Sequence, residues 1–85
     1  MTGATLFIVD DHSTFRARAR ALLEAVGFVV VGDAATGEEA LREVHRLRPQ
    51  VVLVDMVLPD LDGFAVCERL AQNEYSPTVV LTSSR

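Results

Sequence analysis

The sequence predicts an α/β fold, a single domain built on a doubly wound parallel sheet. Four short apolar runs rich in β-branched residues, Leu6–Val9, Phe28–Val31, Val51–Val54 and Thr78–Leu81, are spread along the chain. Continuous apolar runs of this length suit strands buried on both faces. Three segments with apolar residues at helical spacing lie between them. The resulting order, βαβαβαβ, implies right-handed crossovers that put helices on both sheet faces.

Each element has its own signals. The first strand runs into Asp10-Asp11. In the first helix Phe15, Ala19, Leu22, Leu23 and Val26 share a stripe, Arg16, Arg18 and Arg20 fall on the solvated side, and Gly27 is placed to end it. The second helix opens with Thr36 and Glu39 as a capping box, turns Ala40, Leu41, Val44 and Leu47 inward, and stops at Pro49. After the third strand, Pro59-Asp60-Leu61-Asp62-Gly63 reads as a turn, with Asp60 and Asp62 as turn and cap residues. The third helix then presents Phe64, Cys67, Leu70 and Ala71, and Pro77 precedes the fourth strand. No linker, repeat or low-complexity stretch divides residues 1–85.

Composition narrows the functional classes. The chain is 49% hydrophobic and 24% charged, outside the range of disordered segments. Its net charge of −4 argues against contact with nucleic acid, which needs clustered cations. All eight basic residues are arginine. A single cysteine, Cys67, forms no internal disulfide and reads as a core residue, consistent with a reducing compartment. The first apolar run is too short for a secretory signal, and none approaches the roughly 20 residues of a membrane span. A cytoplasmic location is expected.

In a doubly wound sheet, ligands bind beyond the carboxyl ends of the strands. Asp10 and Asp11 follow the first strand, Asp55 the third, and Thr82, Ser83 and Ser84 the fourth. If strands one, three and four are neighbours, three carboxylates converge and repel one another unless a cation joins them. An all-oxygen set suits Mg²⁺ or Mn²⁺. A carboxylate there can attack phosphorus, with the cation offsetting the charge of both partners and a Thr82 hydroxyl close to a phosphoryl oxygen. Taken singly, these residues read as caps and a polar strand exit. Their joint placement carries the reading. His12 and His45 have no partner at metal-ligand spacing and are read as non-ligands.

The stretches Ile8-Val9-Asp10-Asp11-His12, Val52-Leu53-Val54-Asp55-Met56-Val57-Leu58-Pro59-Asp60-Leu61-Asp62-Gly63 and Val79-Val80-Leu81-Thr82-Ser83 resemble the signatures of receiver domains of bacterial two-component response regulators. The resemblance covers the whole chain and implies a flavodoxin-like fold with strand order 2-1-3-4-5. It implies that Asp55 is the phosphoacceptor and Thr82 the switch hydroxyl. Asp11, Asp55 and the Met56 backbone carbonyl would bind Mg²⁺ or Mn²⁺ directly, and Asp10 through water. The donor would be a phosphohistidine on a sensor kinase or relay protein, with His12, Thr14 and Arg18 helping to select it. Asp-Asp-His followed by Phe15-Arg16 is similar to regulators with a C-terminal helix-turn-helix, so the output would lie outside this segment. The domain would be a signalling phosphoacceptor, not an enzyme, with autodephosphorylation open to a full-length parent.

The chain departs from the family pattern in stopping at Arg85 and containing no lysine, so a fourth helix, a fifth strand with its lysine and aromatic switch residue, and a fifth helix are missing. A fragment is the expected explanation, and self-association through the fourth strand or a bare sheet face the expected consequence. Two other functions compete. An Mg²⁺-dependent phosphatase with an Asp nucleophile would carry a second Asp two residues on, where Val57 stands. A receiver-like interaction module, not phosphorylated in this form, would fit the missing lysine.

Overall fold

The computed structural model of the chain describes residues 3–72 and 74–83. It contains β1 (Thr5–Val9), α1 (Ser13–Ala25), β2 (Val29–Ala34), α2 (Gly37–Leu47), β3 (Val51–Asp55), α3 (Gly63–Ala71) and β4 (Thr78–Thr82). The strands form one parallel sheet in the order β2-β1-β3-β4, as expected from the sequence with the fifth strand absent. The second strand starts and ends later than its apolar run, because Gly32, Asp33 and Ala34 continue pairing with β1 as far as Val9. The polar end of β2 therefore reaches the same rim as Asp10.

The two faces are covered unequally. Under α2 and α3, Phe7, Val9, Val52 and Val54 of the sheet pack with Ala40, Val44, Val66 and Leu70 into the larger core. On the other face Leu6, Ile8 and Val30 pack with Ala19 and Leu23 of α1 and with Phe28, Val51 and Leu53, and α1 is the one described helix over them. The inward stripe of α1 is narrower than expected. Phe15, Ala19 and Leu23 repeat at i, i+4, whereas Leu22 and Val26 lie one position round the helix and are 67% and 65% exposed. With Arg18 and Leu53, residues Phe15, Ala19, Leu22 and Leu23 line an open apolar groove of about 340 Å³.

In α3 the buried positions are Gly63, Val66 and Leu70. Phe64 is 56% exposed and Ala71 is also exposed, which corrects the expected apolar face, since Phe64 lies two residues from Val66 and points to the opposite side. Cys67 is only partly buried. The expected caps are present. Thr36 Oγ1 accepts from the Glu39 amide (3.2 Å), and Asp62 Oδ1 from the Ala65 amide (2.7 Å). Glu39 reaches back to the Ala35 amide rather than to that of Thr36. Gly27 ends α1 at φ +107°, and Arg48 ends α2 in the left-handed region, just ahead of Pro49.

Asp60 does more than shape its own turn. Its two carboxylate oxygens accept from the amides of Gly37 (2.8 Å) and Glu38 (2.9 Å), so a side chain of the β3–α3 loop caps α2. These amides, that of Glu38 first, hold the Asp60 carboxyl below its ordinary value of 3.8. A depressed pKa stabilises the fold fully above that ordinary value, and the contribution disappears as pH falls through the lower folded-state value. Asp60→Ala should lower the melting temperature at neutral pH by roughly 5 °C, as expected for losing a helix cap. The difference from the unsubstituted protein should shrink as the pH falls below 3.8. Thermal melts followed by circular dichroism across this range check both statements.

Candidate functional site

The parallel order β1-β3-β4 puts the carboxyl ends of these three strands side by side. Asp10 follows β1, Asp55 ends β3, and Thr82 lies opposite Asp55 on β4. One ligand-type atom from each of Asp10, Asp11, His12 and Asp55 falls within 4.8 Å of the others. The three carboxylates expected to converge do so. A cleft of about 170 Å³ opens beside them, lined by Asp11, His12, Asp55, Val57, Leu58, Pro59 and Ser83.

Asp10 is fully buried, and Asp55 is 3% exposed. The Asp10 Oδ1 atom accepts from the His12 amide (2.8 Å) and lies 3.0 Å from His12 Nδ1. Its Oδ2 has no hydrogen-bond partner among the described residues. Buried carboxylate oxygens are nearly always satisfied, so an orphan at the centre of an acidic cluster marks a place for a bound cation. Two carboxylates with oxygens up to 4.8 Å apart repel by about 3 kcal/mol at an effective dielectric of about 20. The donor set therefore fits a hard divalent ion. Asp10, Asp11 and Asp55 would hold it, and the Met56 carbonyl, which already accepts from the Gly63 amide (2.8 Å), has a second lone pair for it.

Two surrounding groups set this geometry. Arg16, expected on the solvated side of α1, turns inward: its Nη1 donates to the Asp10 carbonyl (2.8 Å) and its Nε lies 3.6 Å from Asp33 Oδ2. It ties α1 to the ends of β1 and β2 beneath the acidic cluster. Gly63, the first residue of α3, lets that helix approach the backbone of Asp55. A Cβ there would stand 2.7 Å from the Asp55 carbonyl oxygen and 2.9 Å from the Met56 Cα.

The hydroxyls are divided. Thr82 Oγ1 donates to the Val54 carbonyl at 3.4 Å, a long contact that points away from the cleft, while Ser83 lines it. Ser84 lies outside the described residues. Thr14 and Arg18 are exposed on the first two turns of α1, as their i, i+4 spacing implied. The structure brings His12 to the carboxylates, which its spacing in the sequence did not indicate. Its Nδ1 lies 3.0 Å from Asp10 Oδ1 and 3.1 Å from Asp11 Oδ1, inside the acidic cluster. Spacing rules for metal sites look for His at helical or loop intervals. They miss a histidine brought to carboxylates by a strand exit.

The response regulator receiver domain family model matches residues 6–85. A probable transcriptional regulator, ycf27, of Guillardia theta is 37% identical over 96% of this chain and 32% of its own length. A protein-glutamate methylesterase/protein-glutamine glutaminase of Hahella chejuensis is 38% identical over 93% of the chain and 23% of its own length. The chain thus spans about a third or less of these relatives. Among solved structures, the receiver domain of the response regulator NarL from Mycobacterium tuberculosis superposes with a TM-score of 0.88 at 31% identity. That match covers 100% of this chain and 69% of that one. No described helix is long and apolar enough to cross a membrane.

Because its missing Cβ admits α3 against the Asp55 carbonyl, Gly63→Ala should cost about 1–3 kcal/mol through overpacking. Urea unfolding should show the midpoint fall with little change in slope. The same variant should bind divalent ions more weakly, since the displaced backbone carries both Asp55 and Met56.

Proposed function

The chain belongs to the response regulator receiver domain family, and from that premise we propose that it is a phosphoacceptor domain in which Asp55 takes a phosphoryl group from a phosphohistidine. The observation that carries the reading is the meeting of buried Asp10 and Asp55 with exposed Asp11 at the ends of β1 and β3, with a cleft leading to Asp55. Asp55 is the nucleophile: its carboxylate attacks phosphorus, an acyl phosphate forms, and the P–N bond to the donor imidazole breaks. The Val57 amide, 3.3 Å from Asp55 Oδ1, helps fix the carboxylate's orientation. A bound Mg²⁺ or Mn²⁺ would neutralise charge on the carboxylate and the phosphoryl oxygens. Asp11 and Asp55 would supply side-chain ligands and Met56 a carbonyl, and Asp10 would act through water. Rotation of Thr82 about its side-chain bond would exchange the long contact to Val54 for one to the phosphoryl group.

This makes the domain a signalling module of a two-component phosphorelay in the cytoplasm, with its output elsewhere in a longer protein. His12 lines the cleft, Thr14 and Arg18 are exposed on the first two turns of α1, and the three would help choose the kinase or phosphotransfer partner. Exchanging Thr14 and Arg18 for the residues of another receiver should alter kinase preference measured by competing phosphotransfer, and leave labelling by a small phosphoramidate unaltered.

The direct experiment is phosphodonor labelling followed by mass spectrometry. A base- and hydroxylamine-labile phosphoryl adduct should appear on Asp55, and Asp55→Asn should abolish it. Magnesium binding followed by chemical shift should be saturable and weakened by Asp11→Asn. Absence of any adduct, with Mg²⁺ binding intact, would favour a receiver-like interaction module instead.

The 85-residue chain itself should self-associate. β4 is a sheet edge with Val80 43% exposed, and the groove beside α1 leaves Leu22 uncovered on the other face. Burial of apolar surface at about 25 cal/mol per Å² would favour pairing with a second copy. Sedimentation at micromolar concentration should show dimers or larger species; a compact monomer that melts cooperatively would contradict this.

A further inference from the structure

We propose that His12 is a direct metal ligand through Nδ1, and that it biases the acidic centre toward imidazole-accepting first-row transition ions, represented by Mn²⁺, over Mg²⁺. The inference rests on the metal-binding reading of the same site and concerns which ion it selects.

Three observations carry it. The His12 Nδ1 atom lies 3.0 Å from an Asp10 oxygen and 3.1 Å from an Asp11 oxygen. Adjacent ligands on an octahedral ion with bonds of about 2.1 Å stand about 3 Å apart, so the separation of Nδ1 from Asp11 is that of neighbouring ligands, while the contact to Asp10 is a hydrogen bond. The nitrogen and three carboxylates also fit within 4.8 Å, close to the width of one coordination sphere. Second, the buried Asp10 Oδ2 has no hydrogen-bond partner among the described residues, which points to a cation independently of the acidic count. Third, the His12 backbone is fixed where a ligand would need it. Its amide donates to Asp10 Oδ1 (2.8 Å), and His12 is the N-cap of α1 without using its side chain to cap. The imidazole is therefore not committed to holding the helix.

The chemistry follows from ligand hardness. Mg²⁺ keeps waters and oxygen ligands and gains little from imidazole, whereas Mn²⁺ and later first-row ions accept an N/O set. Binding requires Nδ1 to exchange its hydrogen bond to Asp10 for the ion, presenting its lone pair with the ring proton on Nε2, in a side chain 56% exposed. Mg²⁺ would bind to the carboxylates alone, and Mn²⁺ to the carboxylates plus His12.

Calorimetric titration of the protein with MnCl₂ and with MgCl₂, paired with pulsed electron paramagnetic resonance of the Mn²⁺ form, tests this. Unsubstituted protein should bind Mn²⁺ at least tenfold more tightly than Mg²⁺ and show nitrogen coupling to the manganese. His12→Gln should lose that coupling and bind Mn²⁺ about tenfold more weakly, with Mg²⁺ affinity changed less than twofold. Circular dichroism should show it folded. If His12→Gln changes neither ion, or both equally, or keeps the nitrogen coupling, the proposal is overturned. Asp11→Asn separates this from failure of the site itself. Weakened binding of both ions in that variant upholds the acidic centre whatever His12 does, whereas unchanged binding of both overturns the centre and the His12 proposal together.

Discussion

Asp10, Asp11 and Asp55 hold three carboxylates within one coordination sphere, two of them buried, at the rim of a parallel sheet. Mutual repulsion at these distances opposes folding by several kcal/mol, a large part of the stability of a small domain. The rest of the structure accommodates that constraint. Pairing of β1, β3 and β4 fixes the strand ends too firmly for the acids to move apart. Arg16 brings a guanidinium beneath the cluster, and the His12 amide meets one Asp10 oxygen. The other Asp10 oxygen has no hydrogen-bond partner among the described residues, and the reactivity proposed for Asp55 depends on that deficit being supplied by a cation.

The loop after Asp55 translates this local chemistry into the wider fold. Val57 pairs with Asp62 across a tight turn, Gly63 brings α3 against the Asp55 carbonyl, and Asp60 caps α2. A shift of Asp55 and its loop would therefore be felt at the starts of both α2 and α3. On the opposite face only α1 covers the sheet, with few contacts and an open groove. The molecule is stiff around the acidic rim and thinly covered beside α1.

Much of this was legible in the residues. Apolar runs marked the strands because both sheet faces are covered. Thr36, Asp62 and Gly27 marked helix ends through local hydrogen bonds and backbone geometry that neighbours in sequence determine. The convergence of Asp10, Asp11 and Asp55 followed from the strand order alone. What failed depended on angles or on distant partners. The apolar stripe of α1 was drawn one position too wide, so Leu22 and Val26 were placed inward. Phe64 was assigned inward although Val66 and Leu70 define the buried face of α3. Arg16 looked solvated because its partners, the Asp10 carbonyl and Asp33, are remote in sequence. Asp60 looked like a turn residue because the helix it caps begins 23 positions earlier. The nearness of His12 to two carboxylates is not visible in sequence spacing, because only the three-dimensional exit of β1 sets it there.

Carboxylate repulsion at the strand ends opposes folding until a divalent ion relieves it. Urea unfolding of Asp55→Asn, with and without Mg²⁺, measures it most directly. Removing one charge should make the metal-free variant more stable than the unsubstituted protein by about 1 kcal/mol or more. Millimolar Mg²⁺ should stabilise the unsubstituted protein by mass action and narrow or reverse that difference. A metal-free Asp55→Asn variant that is no more stable, with Mg²⁺ leaving both proteins unchanged, would contradict the account.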